Sequence, residues 1–496
     1  MSVPTPRSGV LSRLDGVEPR RLARWLRVLV VLVLLGLISH GHYAGSGDAV
    51  HYMVIASSLA LDRDLDLANN YDGPGSLLMA DRLDHGAHAR PGRNGVLRPV
   101  HDVGLPLLAA PYFGLAHAVA ERLTPSLPAG LRRKAKLDPW IALRQLLSIG
   151  MILVTAALAT VFFGEARSLT GRAGTAFAGA LLFVVSPPIL SHGYVFFSEI
   201  PSALLTLMVY AALRKGSDLS RLRAGSLGAM TGFLLLLHVR NAGLALGLLA
   251  VALCRLWGTR ARAAAFGLGF LALAGARIAL NVYLWDDPLF SPHARPGSWS
   301  GWMDTLTTVA TRGLGLALDQ RHGLLPYAPV YLLAPAGWLL LRRQEPRVAR
   351  ELVVLVSAAM IPILLPTLNY HGWRGGWSPA ARFLVPVAAL AALPAVVAAS
   401  RLATPVVLGL VIWQGLLDAF FWSRPMLLWN EGPGPAAFLL EIGGEALASL
   451  FPSWDPVTGR ALIVCLGVVA AWLGLTAWLV RRAAPAESLR RGHAQW

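Results

Sequence analysis

The tract Ser46-Gly47-Asp48-Ala49-Val50-His51-Tyr52 puts a carboxylate, an imidazole and a phenol within about one helical turn. A carboxylate held there could take a proton from an incoming hydroxyl, the step a general base performs. Asp48 also stands just before an apolar-periodic stretch, where an N-cap that accepts backbone N–H bonds is an equally familiar role. His51 and Tyr52 can share its face. Downstream, Asp62, Arg63, Asp64, Asp66, Asn69, Asn70, Tyr71 and Asp72 form a dense polar run. Its carboxylates and amides leave room for a divalent cation with oxygen ligands. No His or Cys spacing specifies a metal site, so no residue is assigned to one. Cys254 and Cys465 both lie in apolar segments and support neither a disulfide framework nor a thiolate site. His101 and Asp102 precede Gly104-Leu105-Pro106, where the chain would turn back.

Three further groups could receive a charged or sugar ligand. Glu199, in Phe197-Ser198-Glu199-Ile200-Pro201, would cost about 2.5 kcal/mol or more if ionised against lipid, so it should face a cavity or a partner. The competing role is a helix start, with Ser198 as cap and Pro201 in the first turn. Arg240 and Asn241 interrupt the apolar stretch 227–257 just after His238. A guanidinium fork there suits a phosphate, or it snorkels to headgroups. The third group is His371-Gly372-Trp373-Arg374-Gly375-Gly376-Trp377-Ser378-Pro379, followed by Arg382. Gly permits close backbone approach, Arg pairs with phosphate and Trp stacks on sugar or isoprenoid, although Trp also belongs to interfacial belts.

The elements that must hold these residues are membrane helices. Of 496 residues, 55% are apolar and only 14% charged, and the mean hydropathy is +0.55, a composition that no ordinary soluble surface has. The net charge of +17 falls in short clusters, at 20–27, 132–136, 342–350 and 481–491. That pattern reads as topology and excludes nucleic acid as a partner. The basic and apolar start resembles a secretory signal, and we read it as a retained anchor. Apolar runs at 22–39, 140–164, 173–192, 199–213, 225–239, 242–257, 265–284, 324–341, 351–368, 383–400, 404–422 and 460–480 predict twelve helical spans. The shorter run 104–120 is expected to be re-entrant or surface-lying. The cations at 167–172, 214–223, 260–262, 342–350 and 481 onward then fall on the cytoplasmic side, with both termini, if 104–120 does not cross. The expected organisation is a basic tail 1–21, one transmembrane domain 22–480 and a tail 481–496. Outer loops fall at 40–139, 285–323, 369–382 and 423–459, and Asp48 should begin an amphipathic surface helix over 49–61.

Gly47-Asp48-Ala49-Val50-His51-Tyr52, Leu65-Asp66-Leu67-Ala68-Asn69-Asn70-Tyr71, the stretch 101–111, Gly323-Leu324-Leu325-Pro326-Tyr327-Ala328-Pro329 and Gly375-Gly376-Trp377-Ser378-Pro379-Ala380-Ala381-Arg382-Phe383 occur in an order that resembles bacterial GT-C-fold glycosyltransferases. The family 39-like group is most similar, with its protein mannosyltransferases and lipid A aminoarabinose transferases. The resemblance covers most of 20–400. It implies an all-α polytopic bundle of about 12–13 transmembrane helices with a large first outer loop, in the bacterial inner membrane with its active site outward. It implies transfer of a sugar, with inversion, from a polyprenyl-phosphate donor to a protein, polysaccharide or glycolipid acceptor. Asp48 matches the acid that the family is thought to use as general base. Glu199 and Arg240 fall where cavity-facing polar residues occur. Arg240, Arg374 and Arg382 are then candidates for the departing phosphate, Trp373 and Trp377 for the sugar or lipid path, and His51, Tyr52, Arg63, His101, Asp102, Asn241 and His371 for donor binding. Ala49 departs from the pattern where relatives often carry a second acid, and Asp102 where proline is frequent. A transporter or flippase for an amphiphilic solute is the rival reading, and a non-catalytic envelope scaffold is a third.

Overall fold

A computed structural model describes residues 10–40, 47–72, 86, 88–135, 138–216, 219–290, 302–364, 374–402, 405–429, 434–454 and 459–482. The chain is an all-α polytopic membrane protein. A short helix α1 (Val10–Asp15) leads into α2 (Pro19–His40). The expected first outer loop holds α3 (Asp48–Ser57), a π-helical turn Ser58–Asp62, α4 (Ala68–Asp72), the hairpin β1 (Ala89–Pro91) and β2 (Leu97–Pro99), α5 (Gly104–Ser126) and α6 (Ala129–Ala135). The bundle continues with α7 (Pro139–Thr170), α8 (Ala173–Val185), α9 (Ile189–His192), α10 (Glu199–Arg214), α11 (Arg221–Leu237), α12 (Ala242–Leu256) and α13 (Arg260–Trp285). It ends with α14 (Trp302–Leu318), α15 (Ala334–Gln344), α16 (Pro346–Leu364), α17 (Val385–Arg401), α18 (Pro405–Ser423), α19 (Ala437–Ala448) and α20 (Gly459–Arg482).

Each expected span contains a helix, but among the described residues only seven are long and apolar enough to cross a bilayer: Pro19–His40, Pro139–Thr170, Val239–Leu256, Arg260–Trp285, Arg382–Arg401, Pro405–Ser423 and Ile463–Arg481. α10 and α11 have 16 and 17 residues. The run 324–341 is not one helix, because Pro326 and Pro329 confine it to a turn and a 3₁₀ segment before the 11-residue α15. Glycine lets the helices approach closely. A Cβ on Gly228 of α11 would stand 1.9 Å from the Phe266 carbonyl of α13, and one on Gly337 of α15 would stand 1.8 Å from that of Pro394 in α17.

The segment after Asp48 corrects the amphipathic expectation. Every residue from Ala49 to Ser57 is buried, so α3 is enclosed rather than lying on a surface. Tyr52, Met53 and Ala56 join the main core. Val54 and Ile55 join a smaller one with Leu65, Leu67, Tyr71, Ala89, Val103 and Leu284. The polar run thus folds over α3 and supplies its own apolar underside. The run 104–120 likewise extends to a 23-residue helix.

The bundle has two chemically different ends. At one, Asp15 Oδ1 accepts from Gly174 N, Arg214 and Lys215 hold Glu165 at 2.7 and 3.2 Å, and Arg255 holds Glu351 at 2.6 Å. At the other, segments far apart in sequence meet. Asp319 accepts from Trp454 N, Ala381 N donates to the His322 carbonyl, Pro379 bridges Trp429, and the Trp377 carbonyl lies against Gly47.

Candidate active site

Asp48 is the first residue of α3, and the N-cap position belongs to Gly47, whose φ is 59° and which makes no side-chain cap bond. The carboxylate is therefore not spent on capping. Arg382 Nη2 donates to Asp48 Oδ2 at 2.7 Å and Arg382 Nε to Glu199 Oε1 at 2.6 Å. Arg382 Nη1 donates to the Gly375 carbonyl at 3.1 Å, and the guanidinium lies 4.2 Å over the Phe197 ring. One side chain thus spans two carboxylates that are 151 residues apart in the chain (199 − 48). Only 3% of the Arg382 side chain and 5% of that of Glu199 are exposed, against 26% for Asp48. Burial pushes the Asp48 carboxyl up, but Arg382, with His101 and His88 behind it, outweighs that and holds it far below the usual carboxylate range.

The local chain path explains how Arg382 arrives there. Gly375 and Gly376 have φ of 90° and 67°, and Ala381 has φ of 57°, which a non-glycine residue adopts only at some cost. The three bend the chain tightly before the 3₁₀ turn Arg382–Leu384 that opens α17. Such backbone outliers cluster at sites that must hold a particular geometry. Trp377, 40% exposed, leans edge-on against Trp429, with 6.1 Å between ring centroids, and its backbone carbonyl lies against Gly47. Arg374 stands one residue before Gly375. His371 and Trp373 lie outside the described residues.

A small cavity of about 30 Å³ adjoins Glu199, where Ser198, Ser202, His238, Arg240 and Asn241 meet the apolar side chains of Leu244 and Phe383. Ser198 makes no side-chain cap bond to α10, so the competing helix-start role of Glu199 is not what orders its carboxylate. Glu199 Oε2 is buried without a hydrogen-bond partner. Arg240 sits in the 3₁₀ turn Val239–Asn241, 3.7 Å over the Phe383 ring, with Nη2 3.9 Å from Glu199 and 2.8 Å from His238 Nε2. It faces the cavity rather than snorkelling outward. Asn241 Nδ2 donates to Ser202 Oγ at 2.9 Å.

The hairpin brings in His88, which the sequence reading missed. β1 and β2 pair Ala89 with Pro99, and Val100 N donates to the His88 carbonyl, so His88 and His101 emerge together at its base. His88 Nδ1 and His101 Nε2 lie 2.8 Å apart, and His51 stacks on His88 at 3.5 Å between centroids. His51 Nδ1 is 2.7 Å from the Tyr71 hydroxyl, and His101 Nε2 is 4.0 Å from Asp48 Oδ1. Asp48, His88 and His101 offer ligand atoms that all fall within 4.8 Å of one another. Two imidazoles and one carboxylate would suit a borderline transition ion more than Mg²⁺. Tyr52 packs on His101 at 5.2 Å, and its hydroxyl is buried without a partner. Burial, then the neighbouring Glu199, Asp48 and Asp102, raise that phenol above its ordinary range.

Two candidates serve other purposes. Asp102 pairs with Arg277 of α13, accepts from Val239 N at 2.9 Å and lies 3.6 Å from His238, so it ties the loop to the bundle. Arg63 is exposed, caps the π-helical turn with φ of 65° and is not brought to the site. Arg277 had a legible signal, being a cation inside an apolar run; His88 had none. No family model and no curated protein matches the chain. Among solved structures, the oligosaccharyltransferase of Archaeoglobus fulgidus, tethered through a disulfide to an acceptor peptide containing the NVT sequon, is similar at a TM-score of 0.39 and 12% identity, over 92% of this chain and 54% of that one. This chain therefore spans about half the length of that structure.

Proposed function

We propose that this protein is a GT-C-like membrane glycosyltransferase, which moves a sugar from a polyprenyl-phosphate donor to an acceptor on the extracytoplasmic side with inversion. Asp48 is its general base. The observation that carries this reading is the buried Asp48–Arg382–Glu199 chain beside the small cavity that Glu199 and Arg240 line, at the end of the bundle opposite the Arg214–Glu165 and Arg255–Glu351 pairs. In the reaction, the bond from acceptor oxygen or nitrogen to the anomeric carbon forms while the bond to the donor phosphate breaks. The acceptor proton passes to Asp48 Oδ1, and polyprenyl phosphate leaves. Arg382 makes Asp48 a weak resting base, but it fixes the carboxylate where the acceptor becomes acidic as the new bond forms. Arg240 would face the departing phosphate, and Trp377 would stack on the sugar or lipid.

Asp48→Asn keeps the shape and removes the acceptor oxygen's charge. Transfer by the purified protein in lipid should fall by about 10²–10⁴, while donor binding persists. Undiminished turnover would exclude Asp48 as base. Solute crossing reconstituted vesicles without a new glycosidic bond would replace the enzyme with a transporter.

A further inference from the structure

A groove of about 1030 Å³ runs between α8, α17 and α18, bounded at one end by α1. Its walls are small or branched apolar side chains, among them Ala178, Gly179, Ala392, Ala395 and Val396, with Ser186 and Tyr331 at the deep end. From Arg172 to Ser186 it follows α8 for roughly 20 Å at about 1.5 Å per residue, long enough for one lipid chain. The rim is chemically distinct. Arg172 lines it, and Arg401 directly follows the lining residue Ser400. Arg401 Nε is buried with no hydrogen-bond partner. Asp15 also lines the rim, but its Oδ1 accepts from Gly174 N at 2.8 Å. The rim thus holds Arg172, with Arg401 next to lining Ser400 in the chain, and the acid there is already engaged. This rim lies at the α1 and α8 end of the bundle, opposite Asp48.

We propose that the groove binds one anionic glycerophospholipid from the leaflet opposite the candidate active site, an acyl chain along α8 and the phosphodiester on Arg172 and Arg401. The apolar walls exclude water, and an unmatched guanidinium pair at a bilayer surface draws a lipid phosphate. A donor lipid would carry its phosphate at the other end of the bundle and leave this rim unmatched.

Native mass spectrometry of the full chain in detergent, titrated with phosphatidylglycerol or phosphatidylcholine, tests this. The wild type should retain one phosphatidylglycerol in preference to phosphatidylcholine. The double variant R172Q/R401Q should bind it about thirtyfold more weakly, near fivefold per cation, and R172K/R401K should keep most of the affinity. Ala178→Phe should lose the lipid with the rim intact. Unchanged melting temperatures in lipid-free detergent separate lost binding from lost folding, and the rim variants carry the test if the Phe variant does not fold. Equal retention of both lipids by the wild type, or full retention by R172Q/R401Q, would overturn the proposal. So would a photo-crosslinker at Ala395 that captures residues 1–9 of the chain rather than lipid.

Discussion

Arg382 organises the site at the scale of single residues, because one planar fork meets Asp48, Glu199 and the Gly375 carbonyl at once. Arg382→Gln would leave two carboxylates unmatched, at a cost of about 3–5 kcal/mol. Arg382→Lys should recover only part of this, since an ammonium lacks the fork. Thermal melts in detergent measure both, and a Gln variant that melts with the wild type would refute the pairing. pH offers a second check. The folded Asp48 carboxyl is held below its ordinary value of about 3.9. Its stabilisation is therefore fully present above that value and is lost as pH falls towards the depressed one. Between about pH 5 and about pH 3 the wild type should lose stability more steeply than Asp48→Asn; parallel curves would argue against a depressed carboxyl.

Individual elements show where local pattern was enough and where it failed. Each of the twelve apolar runs holds a helix because backbone groups in lipid must bond within their own segment, although prolines break the run 324–341. α3 was misread because its apolar residues look like one face until the polar run closes over the other. α5 was expected to be short, and it begins with Gly104 pressed against the backbone of Leu236 and Leu237, at the turn that carries Arg240. From there it follows α7, with the Tyr112 hydroxyl donating to the Leu146 carbonyl at 2.5 Å. We propose that both its ends belong to the side that holds Asp48. An impermeant maleimide should label Arg133→Cys from outside intact cells; labelling only after permeabilisation would make α5 a crossing helix and invert every later loop.

Across the whole molecule, the site exists because ends of α2, α5, α10, α11, α12 and α17 converge at one pole while Arg214, Lys215 and Arg255 gather with their carboxylates at the other. The hairpin adds His88 and His101 to that pole. A divalent transition ion titrated calorimetrically into the wild type should bind, and the double variant H88A/H101A should lose that binding. Equal heats for the two proteins would remove the imidazoles from any metal scheme. With Asp48 and Glu199 set against Arg382 and Arg240, the four charged groups sum to zero (two acids, two cations), so a donor phosphate would enter a site without surplus charge. Arg374 is the nearest further guanidinium by chain position.

Composition and the spacing of apolar runs determined that this chain is an all-α polytopic membrane protein, and Arg240 and Glu199 stood out because ionisable groups are expensive within apolar runs. Asp48 stood out as an acid at the mouth of the first loop. Only the tertiary structure decided that Asp48 pairs with Arg382, 334 positions away, that Arg63 stays apart and that His88 reaches the same wall. Helical periodicity reports which face of a segment is buried. Which helix ends share a pole, and which side chains meet there, depends on packing between segments hundreds of residues apart, and no local pattern encodes that.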